Sequence, residues 1–323
     1  MSADKKKNKT INIGVVGYGY WGPNLVRNFA ELEDAHVHTV ADLNPKVLEI
    51  VARRFPATKT TTDFQQMLQD PEIDAVAIAT PVNTHFPLAM AALKAGKHVW
   101  LEKPMAETSL QARSLVEEAE KRNLVLHVDH TFIYTGAVQK IKTLIDSGEL
   151  GKILYFDSIR VNLGLFQRDV NVISDLGVHD FSILAYITLF YESGLIAHAN
   201  VSWLAPVKVR QILIGGSNKM ITYDDLEPSE KIKIYDKGVS FTDDPEKIQE
   251  MRVGYRTGDM WAPKIDGAEA LSVEGKHFVD CIINGTKPIT DGRLGLRVVE
   301  VIEAATSSMR GRGETVHLQR QGK

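Results

Sequence analysis

Between Ile11 and Val128, short apolar runs rich in β-branched residues alternate with segments of helical period. The runs are "INIGVV", "HVHTVAD", "DAVAIAT", "KHVWLE" and "LVLHV", and the helical segments are Gly22 to Leu32, Pro45 to Arg54, Asp63 to Gln69, Thr84 to Ala95 and Ser109 to Arg122. A strand, a helix and a second parallel strand close with a right-handed crossover, so strict alternation builds a parallel sheet covered by helices on both faces. The pattern predicts a doubly wound domain over residues 11–130.

After Thr131 the pattern changes. One helix, Ala137 to Ser147, precedes longer runs such as "KILYFDSIRVNL", "GLIAHANVSWL", "VRQILIGG", "KMITYDD" and "KIKIYDKG", several separated by only a few turn residues. These predict an antiparallel sheet with a free face, its other face covered by a helix over Ser174 to Phe190. Asp266 to Asn284 and Asp291 to Arg310 are expected to be closing helices. The expected class is therefore α/β: an N-terminal Rossmann doubly wound parallel sheet plus a C-terminal α+β domain with a large open, mainly antiparallel sheet. The expected divisions are a disordered tail over 1–10, a doubly wound domain over 11–130, and a second domain over 131–323.

The first strand runs into "GYGYWGPN", which places Gly17, Gly19 and Gly22 in a G-x-G-x-x-G pattern at a strand-to-helix turn. The first glycine permits the tight turn, the second lets a pyrophosphate approach backbone N–H groups, and the third lets helix and strand pack closely. The positive end of the helix then faces the phosphates. Tyr18, Tyr20 and Trp21 of the same turn join the expected cofactor site. Twenty residues past Gly22, at the end of the second strand, Asp42 would accept hydrogen bonds from ribose hydroxyls, which favours NAD over NADP. Arg53 and Arg54 would meet a 2′-phosphate only if they turned inward. In "ATPVNTHFPLAM", Thr80 and Pro81 end the next strand at the carboxyl edge of the sheet, where such folds bind ligands. Asn83 or Thr84 is expected to cap the following helix. Thr80, Pro81, Asn83 and His85 are candidate contacts to the nicotinamide side.

The next strand ends in "LEKPM". Pro104 biases Lys103 away from helical backbone, so the ammonium is aimed rather than left to chance. A lysine there can donate to a substrate hydroxyl and stabilise a developing alkoxide. Glu102 is its counter-ion or a ribose ligand, and the sequence favours neither. In "VISDLGVHDFSIL", Asp175 and His179 lie four apart, hence on one helical face, and Gly177 between them leaves room for substrate. Histidine is the natural general base for a hydroxyl proton near neutral pH.

In this order and spacing, "GVVGYGYWGPN", "ATPVNTH", "LEKPM" and "SDLGVHD" resemble the glucose-fructose oxidoreductase / inositol dehydrogenase / rhizopine catabolism family. The resemblance implies nicotinamide-dependent oxidation or reduction of a sugar or cyclitol carbon, and an open C-terminal sheet that forms a homodimer or homotetramer. It assigns Lys103, His179 and Asp175 as catalytic. Two departures stand out: Asp180 follows His179 directly, with Ser182 in the place where relatives carry a second aspartate, and Thr135-Gly136 follows Tyr134 where many relatives have Asn-Pro. The stretches "YWGPNLVRNF" and "SGELGKILYFDSIRVNLGLFQRDVNV" resemble members that act at C3 of a UDP- or dTDP-linked hexose. Asn162, Gln167 and Arg168 would then bind sugar hydroxyls or a diphosphate, with Tyr134, Lys103, Asp175 and His179 completing the substrate site.

Composition removes other classes. The chain carries 41 acidic and 38 basic residues, a formal charge of -3, which offers no general attraction to nucleic acid or anionic membrane. Its single cysteine, Cys281, excludes an intrachain disulfide and fits a reducing cytoplasm. The longest apolar stretch, Phe181 to Tyr191, falls short of the roughly 20 residues of a membrane helix. His127, Asp129 and His130 in "HVDH" do not share one face of a strand, so no metal is expected, and His36 and His38 are expected on the more exposed face of their strand. The sequence-based expectation is an NAD-dependent dehydrogenase of a nucleotide-activated sugar. Dehydrogenation of a free sugar or inositol, hydride-linked glycoside hydrolysis and a non-catalytic dinucleotide-binding regulator remain as alternatives.

Overall fold

The structure is a computed structural model that describes residues 10–164, 171–188, 194–241, 253–256 and 258–318. The chain divides into two compact units, residues 1–134 with 269–323, and residues 135–268.

The first unit holds strands β1 (Ile11–Val16), β2 (Ala35–Ala41), β3 (Lys59–Thr61), β4 (Ala75–Ile78), β5 (His98–Leu101) and β6 (Leu126–Val128). They form one parallel sheet in the order β3-β2-β1-β4-β5-β6. Helices α1 (Gly22–Ala30), α2 (Pro45–Arg54), α3 (Phe64–Gln69), α4 (Val82–Lys94) and α5 (Ser109–Arg122) connect the strands. The order reverses beside β1, so β1 and β4 flank the crevice at the carboxyl edge where open α/β sheets take ligands. Period-2 alternation splits β5 between two cores: Val99 and Leu101 face one, and Trp100 the other.

The second unit holds α6 (Gly136–Asp146), β7 (Ile153–Leu163), a π-helical turn over Ile173–Gly177, α7 (Val178–Thr188), and strands β8 (Ile196–Ser202), β9 (Leu204–Gly216), β10 (Met220–Asp224) and β11 (Ile232–Tyr235). A two-stranded ribbon, β12 (Gly238–Phe241) with β13 (Val253–Arg256), stands apart, and β14 (Met260–Trp261) closes a sheet ordered β14-β11-β10-β9-β7-β8. Its pairings are antiparallel except β7 with β8. Phe156, Ile212, Ile214, Ile221 and Ile234 fill the buried face, where α7 packs on β7 and α6 packs on α7. The opposite face stays open, with Leu163, Ile196, Leu204 and Val207 exposed.

Three expectations change. The unit boundary does not run from 131 to the end: α8 (Ala270–Asn284) and α9 (Gly292–Arg310) return to the first unit. Phe278 of α8 meets Phe29 and Trp100 at ring distances of 6.3 and 5.5 Å, and Leu296 and Val299 of α9 join the core on the other face. A parallel sheet is stable only with both faces covered, and these two helices complete the cover. The helix expected at Ser174 starts as a π-helical turn, which shifts its periodicity. His38 is buried rather than exposed: Thr39 Oγ1 lies 2.9 Å from its Nδ1 and Glu72 Oε2 3.3 Å from its Nε2. Residues 1–9 of the expected tail lie outside the described residues.

Phe278→Ala should lower stability by about 3–5 kcal/mol, because a cavity would open between two aromatic rings and the sheet. Urea unfolding of the two proteins checks this.

Candidate active site

The turn after β1 requires its glycines. Gly17 has φ +89°, and a Cβ there would stand 2.6 Å from Ala79 O; a Cβ at Gly22 would stand 2.1 Å from Gly17 O. Gly19 has open space on that side, and Tyr20 beside it is 95% exposed. This is a cradle that a ligand, not a side chain, can fill. Asp42 at the end of β2 accepts from Tyr18 N–H at 2.7 Å and from Asn44 N–H at 2.8 Å. Each carboxylate oxygen retains a second lone pair for a ribose hydroxyl, so the residues suit a dinucleotide. Arg53 donates to Glu49 O of its own helix, and the Arg54 guanidinium lies over the Phe55 ring, so neither is committed to a 2′-phosphate.

At the end of β4, Pro81 occupies the cap position of α4, and Asn83 and Thr84 lie within its first turn, which corrects their expected role as caps. Thr84 Oγ1 donates to Pro81 O at 2.7 Å and lies 2.6 Å from Thr80 Oγ1. His85 is 1% exposed, with Nδ1 2.9 Å from Pro104 O and Nε2 2.8 Å from Thr80 O. Both ring nitrogens face backbone carbonyls, of which a neutral imidazole donates to one, and burial lowers its pKa while the two carbonyls oppose that. His85 braces the Lys103-Pro104 segment against the end of β4 instead of presenting a free edge to a cofactor. The Lys103-Pro104 peptide is cis, and Lys103 is half-buried.

Tyr134, expected to meet substrate, is instead 4% exposed, and its hydroxyl lies 3.0 Å from Thr290 Oγ1. Its ring packs against His127 and His277, where an apolar ring is better buried than exposed.

Behind the carboxyl edge lies an acid cluster that the sequence did not reveal. Asp129 is 2% exposed and accepts from Trp21 Nε1 at 3.1 Å and from the Thr131 hydroxyl. Glu274 of α8 is fully buried; its Oε1 accepts from His130 N–H at 3.1 Å and lies 3.0 Å from His127 Nε2. Burial, then the charges of Asp129 and Glu102, push the Glu274 carboxyl well above the usual range, and burial does the same to Glu102. Burial holds His127 well below its ordinary value and pushes His130 down to about 4. The available signal was a charged residue in the apolar stripe Leu271, Glu274, Phe278, Cys281 of α8.

In the second unit, Asn171 Oδ1 accepts from the N–H groups of Ile173 and Ser174, both at 3.0 Å, and starts the π-helical turn. Asp175 Oδ2 accepts from Trp203 Nε1 at 3.1 Å. His179 is half-buried in the first turn of α7, and Ser182 Oγ donates to its carbonyl at 2.7 Å. Asp180, next to it, pairs with Arg160 of β7 at 2.8 and 3.3 Å. Burial raises the Asp180 carboxyl and the guanidinium opposes that rise. This pair ties α7 to the sheet, and sequence spacing gave no hint of it. Asn162 lies half-buried near the end of β7; Gln167 and Arg168 lie outside the described residues. Among the described residues, His38, Asp70 and Glu72 have atoms close enough to share a cation. Lys59 Nζ lies 3.2 Å from His38 Nε2 and 3.5 Å from Glu72 Oε2, so an ammonium already serves them.

A carboxyl whose pKa is higher folded than unfolded contributes most below its unfolded value, 4.5 here, and loses that contribution as pH rises toward its folded value. Glu274→Gln removes this titration while His127 and His130 remain in both proteins. The variant should therefore gain stability relative to its parent as pH rises above the unfolded value of 4.5, read as urea midpoints at each pH.

Residues 11–130 match the oxidoreductase family described by its NAD-binding Rossmann fold. Myo-inositol 2-dehydrogenase of Thermotoga maritima is 28% identical over 55% of this chain and 54% of its own length. The chain thus spans about half the length of such curated relatives. Among solved structures, levoglucosan dehydrogenase in complex with NADH and levoglucosan superposes with a TM-score of 0.78 at 21% identity, covering 94% of this chain and 98% of the other. UDP-N-acetylglucosamine 3-dehydrogenase of Acidithiobacillus ferrooxidans gives 0.73 at 23% identity, over 91% and 96%. At such identities the superpositions establish the fold. Residues 11–130 thus match the model of an oxidoreductase family with an NAD-binding Rossmann fold, and the strand order and glycine turn agree with that fold.

Proposed function

We propose that this chain is an NAD-dependent oxidoreductase acting on a sugar carbon, most plainly C3 of a UDP- or dTDP-linked hexose. The observation that carries the reading is the Gly17–Gly22 cradle with Asp42 at its edge, joined to a half-buried lysine braced at the end of β5. Bound NAD supplies the hydride acceptor. Lys103 polarises the reacting oxygen, and His179 takes the hydroxyl proton on oxidation or returns it on reduction. Asp175, its carboxylate fixed by Trp203, orients the His179 ring. Thr80, Pro81 and Asn83 are proposed to line the nicotinamide side, and Asn162, Gln167 and Arg168 the sugar or diphosphate. The chemistry named for the relatives, on inositol, levoglucosan and a UDP-amino sugar, supports a polyol carbon as the reacting centre. A free sugar or inositol is the second reading, favoured by the inositol relative.

Lys103→Ala and His179→Ala should each lower turnover by about 100-fold or more while NADH binding persists. Absorbance at the NADH band, screened against UDP-hexoses, dTDP-keto sugars and inositols, measures this and names the substrate class. Unchanged turnover in either variant would remove the assigned roles.

No helix among the described residues is long and apolar enough to cross a membrane. The apolar open face of the second sheet, with Leu163, Ile196, Leu204 and Val207 exposed, supports assembly of this chain with itself as a homodimer or homotetramer. Light scattering should give a mass of two or four chains, and Ile196→Glu should lower it; a monomeric parent protein would refute the assembly.

A further inference from the structure

The turn between β1 and α1 is held at two points and bare between them. Tyr18 N–H donates to Asp42 Oδ2 at 2.7 Å, and Trp21 Nε1 donates to Asp129 Oδ2 at 3.1 Å. Between these anchors lie Gly19, with no heavy atom within 4 Å of a Cβ position, and Tyr20, 95% exposed. Trp21 stands at the cap position of α1, where no side chain caps the helix, so the first N–H groups depend on the turn's own shape.

Asp129 follows β6, three strands from β1 in the sheet order, so the indole must reach past the ends of β4 and β5 to be held. That acceptor is itself rigid. Asp129 N–H donates to Leu101 O at 2.9 Å, the carboxylate also takes the Thr131 hydroxyl, and the residue is 2% exposed. His130, next in the chain, is tied through its N–H to Glu274 of α8. Glu102 and Glu274 flank Asp129, and burial together with the Asp129 charge pushes both carboxyls above their usual range. An indole N–H to a buried carboxylate belongs to the stronger, charge-assisted class of hydrogen bond.

We propose that Asp129 is a positioning residue of the dinucleotide site: through the indole of Trp21 it sets the Gly17–Gly22 turn in the shape that meets the pyrophosphate. The inference rests on NAD binding by residues 11–130 and is independent of which sugar is oxidised. α8, from near the chain's end, thereby supports a turn near its beginning.

NADH titration of the full chain, followed by cofactor fluorescence, tests this with Trp21→Phe, Asp129→Ala, the double variant and Asp129→Asn. Each of the first two should raise the Kd for NADH by about tenfold, the size of one charge-assisted hydrogen bond. The double variant should bind no more weakly than Trp21→Phe alone, since both changes break one link. Asp129→Asn, which keeps an acceptor oxygen, should recover most of the affinity, which a general loss of stability would not allow. Multiplying losses in the double variant, or parental affinity in Trp21→Phe, would overturn the inference. Should Asp129→Ala not fold, the affinity of Trp21→Phe decides alone. A parent protein that fails to bind NADH would remove the dinucleotide reading as well, an outcome distinct from tight binding that is indifferent to Trp21.

Discussion

A parallel sheet has no solvated face to spare, and covering both faces of β3-β2-β1-β4-β5-β6 is the requirement on which the first unit depends. Helices α1 to α5 cannot do it alone. Trp100 on β5 sits fully buried between Phe29 of α1 and Phe278 of α8, while Val99 and Leu101 point into the core that α9 shares. The chain leaves this sheet at Tyr134 and comes back to it at Glu269. The second unit is thus an insertion between the sheet and its last two helices, and the ends of β5 and β6 are fixed by residues distant in sequence.

That closure has an electrostatic consequence. With α8 in place, the buried Glu274 brings a third carboxyl to the buried Asp129 and the half-buried Glu102 at the carboxyl edge. Burial and the neighbouring Asp129 charge push the Glu102 and Glu274 carboxyls well above their usual range. His127 and His130 stay neutral for the same reason, since burial disfavours their cations as well. Asp129, held by Leu101 O and the Thr131 hydroxyl, is a stiff support for Trp21.

Much of the first sheet was legible because its strands are continuous apolar runs and its helices have the 3.6 period; β3, only Lys59–Thr61, was too short and polar to register. The glycine turn and Asp42 were legible because only glycine fits where a Cβ would strike Ala79 O or Gly17 O. His85 and Tyr134 show the limit of such reading. Both stood in motif positions suggesting ligand contact, yet the fold sets the buried His85 ring between two backbone carbonyls and the Tyr134 hydroxyl against Thr290. Residue type and spacing do not reveal which polar atoms the interior has already claimed.

By itself the sequence determined the alternation of strands and helices, the glycine cradle, and the presence of a lysine before proline and an Asp-x-x-x-His pair, because periodicity and backbone restriction act over a few residues. The tertiary structure alone decided that α8 and α9 complete the first unit, that Arg160 holds Asp180 beside His179, and that Asp129 meets Trp21 and Glu274. The Arg160–Asp180, Trp21–Asp129 and His130–Glu274 contacts join residues 20, 108 and 144 positions apart. They follow from packing two sheet faces and burying charge in pairs, and no local pattern in the chain encodes them.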